Sequence, residues 1–228
     1  MKQPGAAGRL VNAFLRGSFY LFYHQFAWTY DVVAAVVSLG LWDRWIETVI
    51  PLLDEFPILE IGFGRGHLQE KLIQLGAPVF GLDESKQMAH LTRKRLSGAH
   101  LHFNLVRSFA QHIPFKSATF KRVVTTFPSE YIAHPDTISE IWRLLQPGGR
   151  LIVMPTAWIT GVSMPHRLAA GVFRVTNESP PKEHLIFTWI RTFEERLIKA
   201  DFRVHGDFVA CENSEVYVLT AEKPEQTM

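Results

Sequence analysis

Three glycines at alternate positions, Gly62, Gly64 and Gly66, follow the short apolar run Ile58-Leu59-Glu60-Ile61 and precede a helical pattern starting at His67. Glycines in that setting let backbone approach a ligand closely and take dihedrals that a Cβ forbids. A helix start behind them presents unpaired N–H groups and the positive end of a dipole. The chemistry this suits is binding of a nucleotide or nucleotide-like cofactor. A dinucleotide fingerprint, G-x-G-x-x-G, needs glycine where this chain has His67, so the pattern here is G-x-G-x-G preceded by the acid Glu60. Alone, the same spacing also serves a plain strand-to-helix turn. A second acid, Asp83, ends the apolar run Val79-Phe80-Gly81-Leu82. An acid at that strand end can accept hydrogen bonds from two ribose hydroxyls; the other reading is a helix-capping or loop carboxylate.

Proton transfer would need a histidine or carboxylate near the reacting atoms. The candidates are His24, Glu130, His134, His166 and His184, and spacing alone pairs none of them with a partner. Each therefore reads first as a surface or structural residue. The ten histidines are scattered without H-E-x-x-H, and Cys211 is the single cysteine, so no metal site and no disulfide are expected. A P-loop lysine and a G-x-S-x-G elbow are also missing.

Alternating patterns position these residues. After the glycines a helix closes at Gly76 with Pro78 beyond, and Ser85 is set to cap the next helix, which runs to about Leu96 with Gly98 ending it. Leu101–Val106 and the β-branched run Arg122–Phe127 read as the third and fourth strands. A helix carrying Ile138, Ile141, Trp142, Leu144 and Leu145 follows Pro135, and Arg150–Met154 is the fifth strand. Strands alternating with helices imply a parallel sheet covered on both faces, with ligands beyond the strands' carboxyl ends. Residues 155–190, punctuated by prolines and glycines, interrupt that rhythm. Thr192-Phe193-Glu194-Glu195 offers a capping box for a last helix, and two strands, Arg203–Val209 and Glu215–Thr220, close the chain.

From about Leu10 to Leu53 the sequence predicts two or three helices rich in aromatic residues. They read either as a packing layer or as a lid over an apolar substrate or a membrane-surface contact. At 228 residues and 47% hydrophobic content the chain fits one domain with additions. The net charge of +2 with mixed signs leaves no nucleic-acid footprint. Too few consecutive apolar residues occur for a membrane span, and the N-terminal stretch lacks a signal peptide's compact apolar core. A cytoplasmic protein acting on a small molecule is the expectation, with peripheral membrane contact and oligomeric state left open.

The ordered segments LEIGFGRG, VFGLDESKQM, AQHIPF and RLLQPGGRLIV, over about 58–154, resemble the class I S-adenosylmethionine-dependent methyltransferases. Tyr30-Asp31 and the SLG at 38–40 further resemble relatives of the quinone-biosynthesis C-methyltransferases. The resemblance implies an α/β fold: a Rossmann-like, mostly parallel seven-stranded sheet with helices on both faces, a C-terminal antiparallel strand pair and an N-terminal helical cover. The chain then divides into the cover (1–56), a cofactor-binding core (57–154), a substrate-side insertion (155–190) and the closing helix and strand pair (191–228).

It also implies S-adenosyl-L-methionine as cofactor. Gly62, Gly64 and Gly66 would line its methionine portion, Glu60 would lie beside the amino group, and Asp83 would hold the ribose hydroxyls. Met88 would lie near the adenine, Ala110 would offer its backbone to the adenine edge, Phe109 would stand beside them, and Tyr30, Phe127 and Trp158 would face the acceptor. Family members often carry aspartate where this chain has Phe109, so that ring either contacts the base or turns into the core. The implied activity is in-line methyl transfer to a small apolar acceptor. The alternatives are a non-catalytic cofactor-binding protein and, against the glycine spacing, a nicotinamide oxidoreductase.

Overall fold

The structure, a computed structural model, describes residues 40–160 and 183–225. Seven strands form one sheet: β1 (Ile58–Ile61), β2 (Val79–Asp83), β3 (Asn104–Arg107), β4 (Phe120–Thr126), β5 (Leu145–Ile159), β6 (Arg203–Cys211) and β7 (Ser214–Glu222). Their order is β3-β2-β1-β4-β5-β7-β6. The first five are parallel, and β7 pairs antiparallel with both β5 and β6. The direction of strand addition reverses between β1 and β4, which opens a crevice at their carboxyl ends.

Successive residues on a strand point to opposite faces, so a strand covered on both sides must be apolar throughout. On β5, Leu151 and Val153 enter one core, and Ile152 and Met154 the other. The first core is closed by α4 (Pro135–Leu144) through Ile138, Ile141 and Leu144, and by α5 (Glu183–Lys199) through Ile190, Phe193 and Leu197. The second is closed by α1 (Trp42–Glu47) and α2 (His67–Gln74) through Trp45, Ile46, Leu68 and Leu72. The remaining helix, α3 (Lys86–Gly98), is capped by Ser85, whose hydroxyl accepts from the Met88 N–H at 3.2 Å. At the opposite end of the sheet Arg122, fully buried on β4, pairs with Asp54 and Glu55 and so ties down the segment entering β1.

Several boundaries differ from the sequence expectation, among them the start of β5 at Leu145 rather than Arg150. α3 continues through Gly98, and His100 takes the left-handed turn at φ 56°; β3 therefore starts at Asn104, three residues late. β5 does not stop at Met154. Pro155 falls where the β5–β7 register shifts between Val153 and Thr156, so its missing N–H removes no ladder bond, and the strand continues to Ile159 against β7. Part of the expected 155–190 interruption is thus sheet. Thr192 is not a helix cap but lies inside α5, where its hydroxyl donates to the Thr188 carbonyl at 2.8 Å. The apolar spacing begins upstream at Ile186 and Trp189, and it outweighs the local capping pattern.

Candidate functional site

The β1–α2 turn carries all three glycines at positive φ: 75° at Gly62, 51° at Gly64 and 76° at Gly66. Two have a second reason to lack a side chain. A Cβ on Gly62 would meet the Tyr131 hydroxyl, and one on Gly66 the Thr92 methyl, both well inside van der Waals contact. Gly64 instead faces open space, with nothing within 4 Å of a Cβ position. Gly64→Ala is therefore expected to cost the fold only the left-handed conformation, about 1–2 kcal/mol. Gly66→Ala must also displace Thr92, whose hydroxyl donates to the Gly64 carbonyl at 2.7 Å. Thermal unfolding of the pair should rank Gly66→Ala clearly below Gly64→Ala.

Asp83 ends β2 beside this turn, 8% exposed. Its Oδ2 accepts from the Gly64 N–H at 2.9 Å and its Oδ1 from the Ser85 N–H at 2.8 Å. An ionised carboxylate has about four acceptor positions, so each oxygen keeps capacity for a ligand hydroxyl. Burial raises the Asp83 pKa, and the two backbone N–H bonds oppose that rise. Glu60, 2% exposed, turns to Gln69, whose Nε2 donates to it at 2.8 Å. Its carboxyl is pushed up to about 8 by burial; Gln69 lowers it and Asp83 adds to the rise. At neutral pH Glu60 is therefore largely a neutral acid. The Gln69 Oε1 is buried and has no hydrogen-bond partner among the described residues.

Beyond β2 and β3, Met88 (6% exposed) and Ala110 (7%) pack inward while Phe109 stands 62% exposed, which excludes the core reading of that ring. At the end of β4, Phe127 adopts φ 48°, a conformation that costs a non-glycine residue on the order of 1–3 kcal/mol. It is held by its N–H to the Met154 carbonyl at 2.7 Å and by stacking on Trp42 at 4.3 Å between ring centroids. Trp158 lies further along β5, stacked on Phe187 at 5.7 Å.

Of the proton-transfer candidates, His134 caps α4, its Nδ1 accepting from the Asp136 N–H at 3.2 Å, and Glu130 is exposed on the 3-10 turn before it. The cap gives His134 a structural role through its Nδ1. His24, Tyr30, His166, the side chain of His184 and the N-terminal helices before Gly40 lie outside the described residues.

Tyr131 and Thr125 were not legible as site residues. The Tyr131 hydroxyl lies 3.1 Å from the Thr125 hydroxyl and donates to the Ile61 carbonyl at 3.3 Å, bridging β4 and β1 at the crevice. The only sequence signal is a tyrosine shortly after a strand, which is too common to single out.

Residues 59–153 match the family model of a methyltransferase domain. Demethylmenaquinone methyltransferase of Symbiobacterium thermophilum is 30% identical over 141 residues, covering 58% of this chain and 56% of that protein. The class I S-adenosylmethionine-dependent resemblance and this domain coincide in their residues. Over these residues the chain is similar to methyltransferases. It spans about half the length of the curated relatives it matches. Two solved structures share the fold of this chain. An S-adenosylmethionine-dependent methyltransferase from Aquifex aeolicus has a TM-score of 0.58 at 18% identity, covering 78% of this chain and 89% of its own. Geranyl diphosphate C-methyltransferase from Streptomyces coelicolor has a TM-score of 0.58 at 14% identity, covering 80% and 79%. Among the described residues no helix is long and apolar enough to cross a membrane.

Proposed function

We propose that this chain transfers a methyl group from S-adenosylmethionine to a small, largely apolar acceptor. The observation that carries the reading is Asp83, a buried carboxylate with acceptor capacity on both oxygens, beside a glycine turn whose Gly64 faces open space. Asp83 would hold the ribose hydroxyls, the turn would take the methionine portion, and Met88, Phe109 and Ala110 would border the adenine. When bound, the sulfonium supplies an already activated methyl group. The chain's own task is then alignment and exclusion of water rather than strong acid chemistry.

The acceptor would lie at the carboxyl end of β4, where Phe127 and Trp42 form an aromatic wall and Tyr131 bridges to β1. Planar or prenylated molecules suit such a wall better than nucleic acid does, and the net charge of +2 agrees. Relatives named for demethylmenaquinone and a structural neighbour named for geranyl diphosphate support the same class of acceptor. No general base is assigned.

Thermal shift gives the first test. A ligand at 100 times its dissociation constant adds about 2.7 kcal/mol of stability, so S-adenosylmethionine and its demethylated product are expected to raise the melting temperature, and NAD is not. Stabilisation by NAD alone would overturn the reading. Transfer of labelled methyl to prenylated quinols or prenyl diphosphates, but not to RNA or protein, is the expected second result.

A further inference from the structure

We infer that Phe109 reads the base of the bound donor by stacking and that no carboxylate reads its exocyclic amino group; this rests on the donor site proposed above. The loop after β3 is pinned on both sides of the ring. The Ser108 N–H donates to the Asp83 carbonyl at 3.2 Å, the Ser108 hydroxyl to the His112 carbonyl at 2.5 Å, and the His112 N–H to the Phe109 carbonyl at 3.0 Å. Past the ring, Ala110 and Ile113 are buried in the core, and the Ile113 N–H donates to Glu140 at 2.8 Å. The backbone is therefore fixed, and Phe109 is the side chain it leaves outside, in neither apolar cluster and in no ring contact among the described residues.

Its position gives that exposure a direction. Asp83 and Arg107 are register partners on neighbouring strands, which lie about 4.8 Å apart. Phe109 is two residues past Arg107, so the ring stands one strand over from the carboxylate assigned to the ribose. A heterocycle attached to that ribose comes within reach of the ring face. Apolar surface left in water is unfavourable, and a flat π-system covering it gains both burial and stacking.

The loop from Arg107 to Lys116 contains no acidic residue, and the acid that touches it, Glu140, accepts from the Ile113 N–H and is held by Arg143. Stacking is tolerant of ring substituents because every base has a π face. The consequence is a donor site that holds the ribose strictly and the base loosely.

The test is calorimetric titration of the full chain with S-adenosylhomocysteine and with its deaminated analogue S-inosylhomocysteine, which carries a ring carbonyl in place of the amino group. The parent is expected to bind the two within about threefold. Phe109→Ala should weaken both by about tenfold or more, with an unchanged melting temperature because the ring packs on no core. Phe109→Asp should restore discrimination, favouring the adenine form at least tenfold, since a carboxylate accepts from the amino group and repels the carbonyl. A parent that prefers adenine tenfold would overturn the inference and point to Gln111, the neighbouring amide, as the reader. Phe109→Ala binding both ligands like the parent would overturn it as well. If the parent binds neither ligand, the donor assignment fails along with it, and that outcome is distinct from loss of the Phe109 effect alone.

Discussion

Asp83→Ala is expected to weaken S-adenosylmethionine binding by about 100-fold or more without unfolding the protein. A hydrogen bond to a charged group contributes about 1.5–3 kcal/mol, and two ribose hydroxyls meeting this carboxylate would form two of them. The fold should tolerate the change, because burial raises the Asp83 pKa and the ionised group is held at a cost to stability. The Gly64 and Ser85 N–H groups lose an acceptor, but both belong to a turn that a ligand must reach, and water can replace it. Asp83→Asn, which keeps the shape and one acceptor oxygen, should fall between parent and alanine. Calorimetry measures the affinity and thermal unfolding the fold. An Asp83→Ala protein that is folded and binds like the parent would remove Asp83 from the site.

The second large effect concerns stability against pH, and it belongs to Glu60. Its folded value of about 8 lies above the ordinary 4.5, chiefly because burial disfavours the charge. Stability contributed by the neutral acid is complete below about pH 4.5 and declines as pH rises through 8. One unit corresponds to about 1.4 kcal/mol, so between pH 5 and pH 9 the parent should lose several kcal/mol of unfolding free energy through this group. Asp83 is shifted in the same direction. Asp54 and Glu140, lowered by hydrogen bonds from Arg122 and Arg143, act in the opposite direction but only on the acid side, below the window chosen. Glu60→Gln is neutral throughout and should lose most of the slope. Denaturant unfolding at several pH values decides the matter; parallel curves for parent and variant would mean that Glu60 is ionised in the fold throughout this window.

Much of this site was legible because it depends on local backbone chemistry. Glycine is needed wherever φ is positive and a ligand approaches, and that requirement puts Gly62, Gly64 and Gly66 into the sequence as a pattern. Asp83 is legible for a similar reason: it ends an apolar run, and the end of a buried strand is where a parallel sheet meets its ligand. The strand and helix alternation, the two closing strands and the Ser85 cap follow from side-chain period and short-range hydrogen bonding, and the antiparallel pairing of the last two was implied by the resemblance.

Tertiary structure decided what depends on residues distant in the chain. Gly66 must be glycine for Thr92 as well as for its own φ, and Gly62 for Tyr131, which reaches the Ile61 carbonyl from the far side of the crevice. No spacing rule encodes such meetings, because the sheet order that puts β4 beside β1 sets them. Glu60 illustrates the limit most clearly. Its position in the motif is plain from sequence, but its charge is set by burial against Gln69 and the nearby Asp83. Phe109 was open between core and base contact until the loop's hydrogen bonds and the burial of Ala110 left its ring outside. Sequence alone determined where the backbone can accept a ligand; packing decided which side chains are charged, exposed and in reach of it.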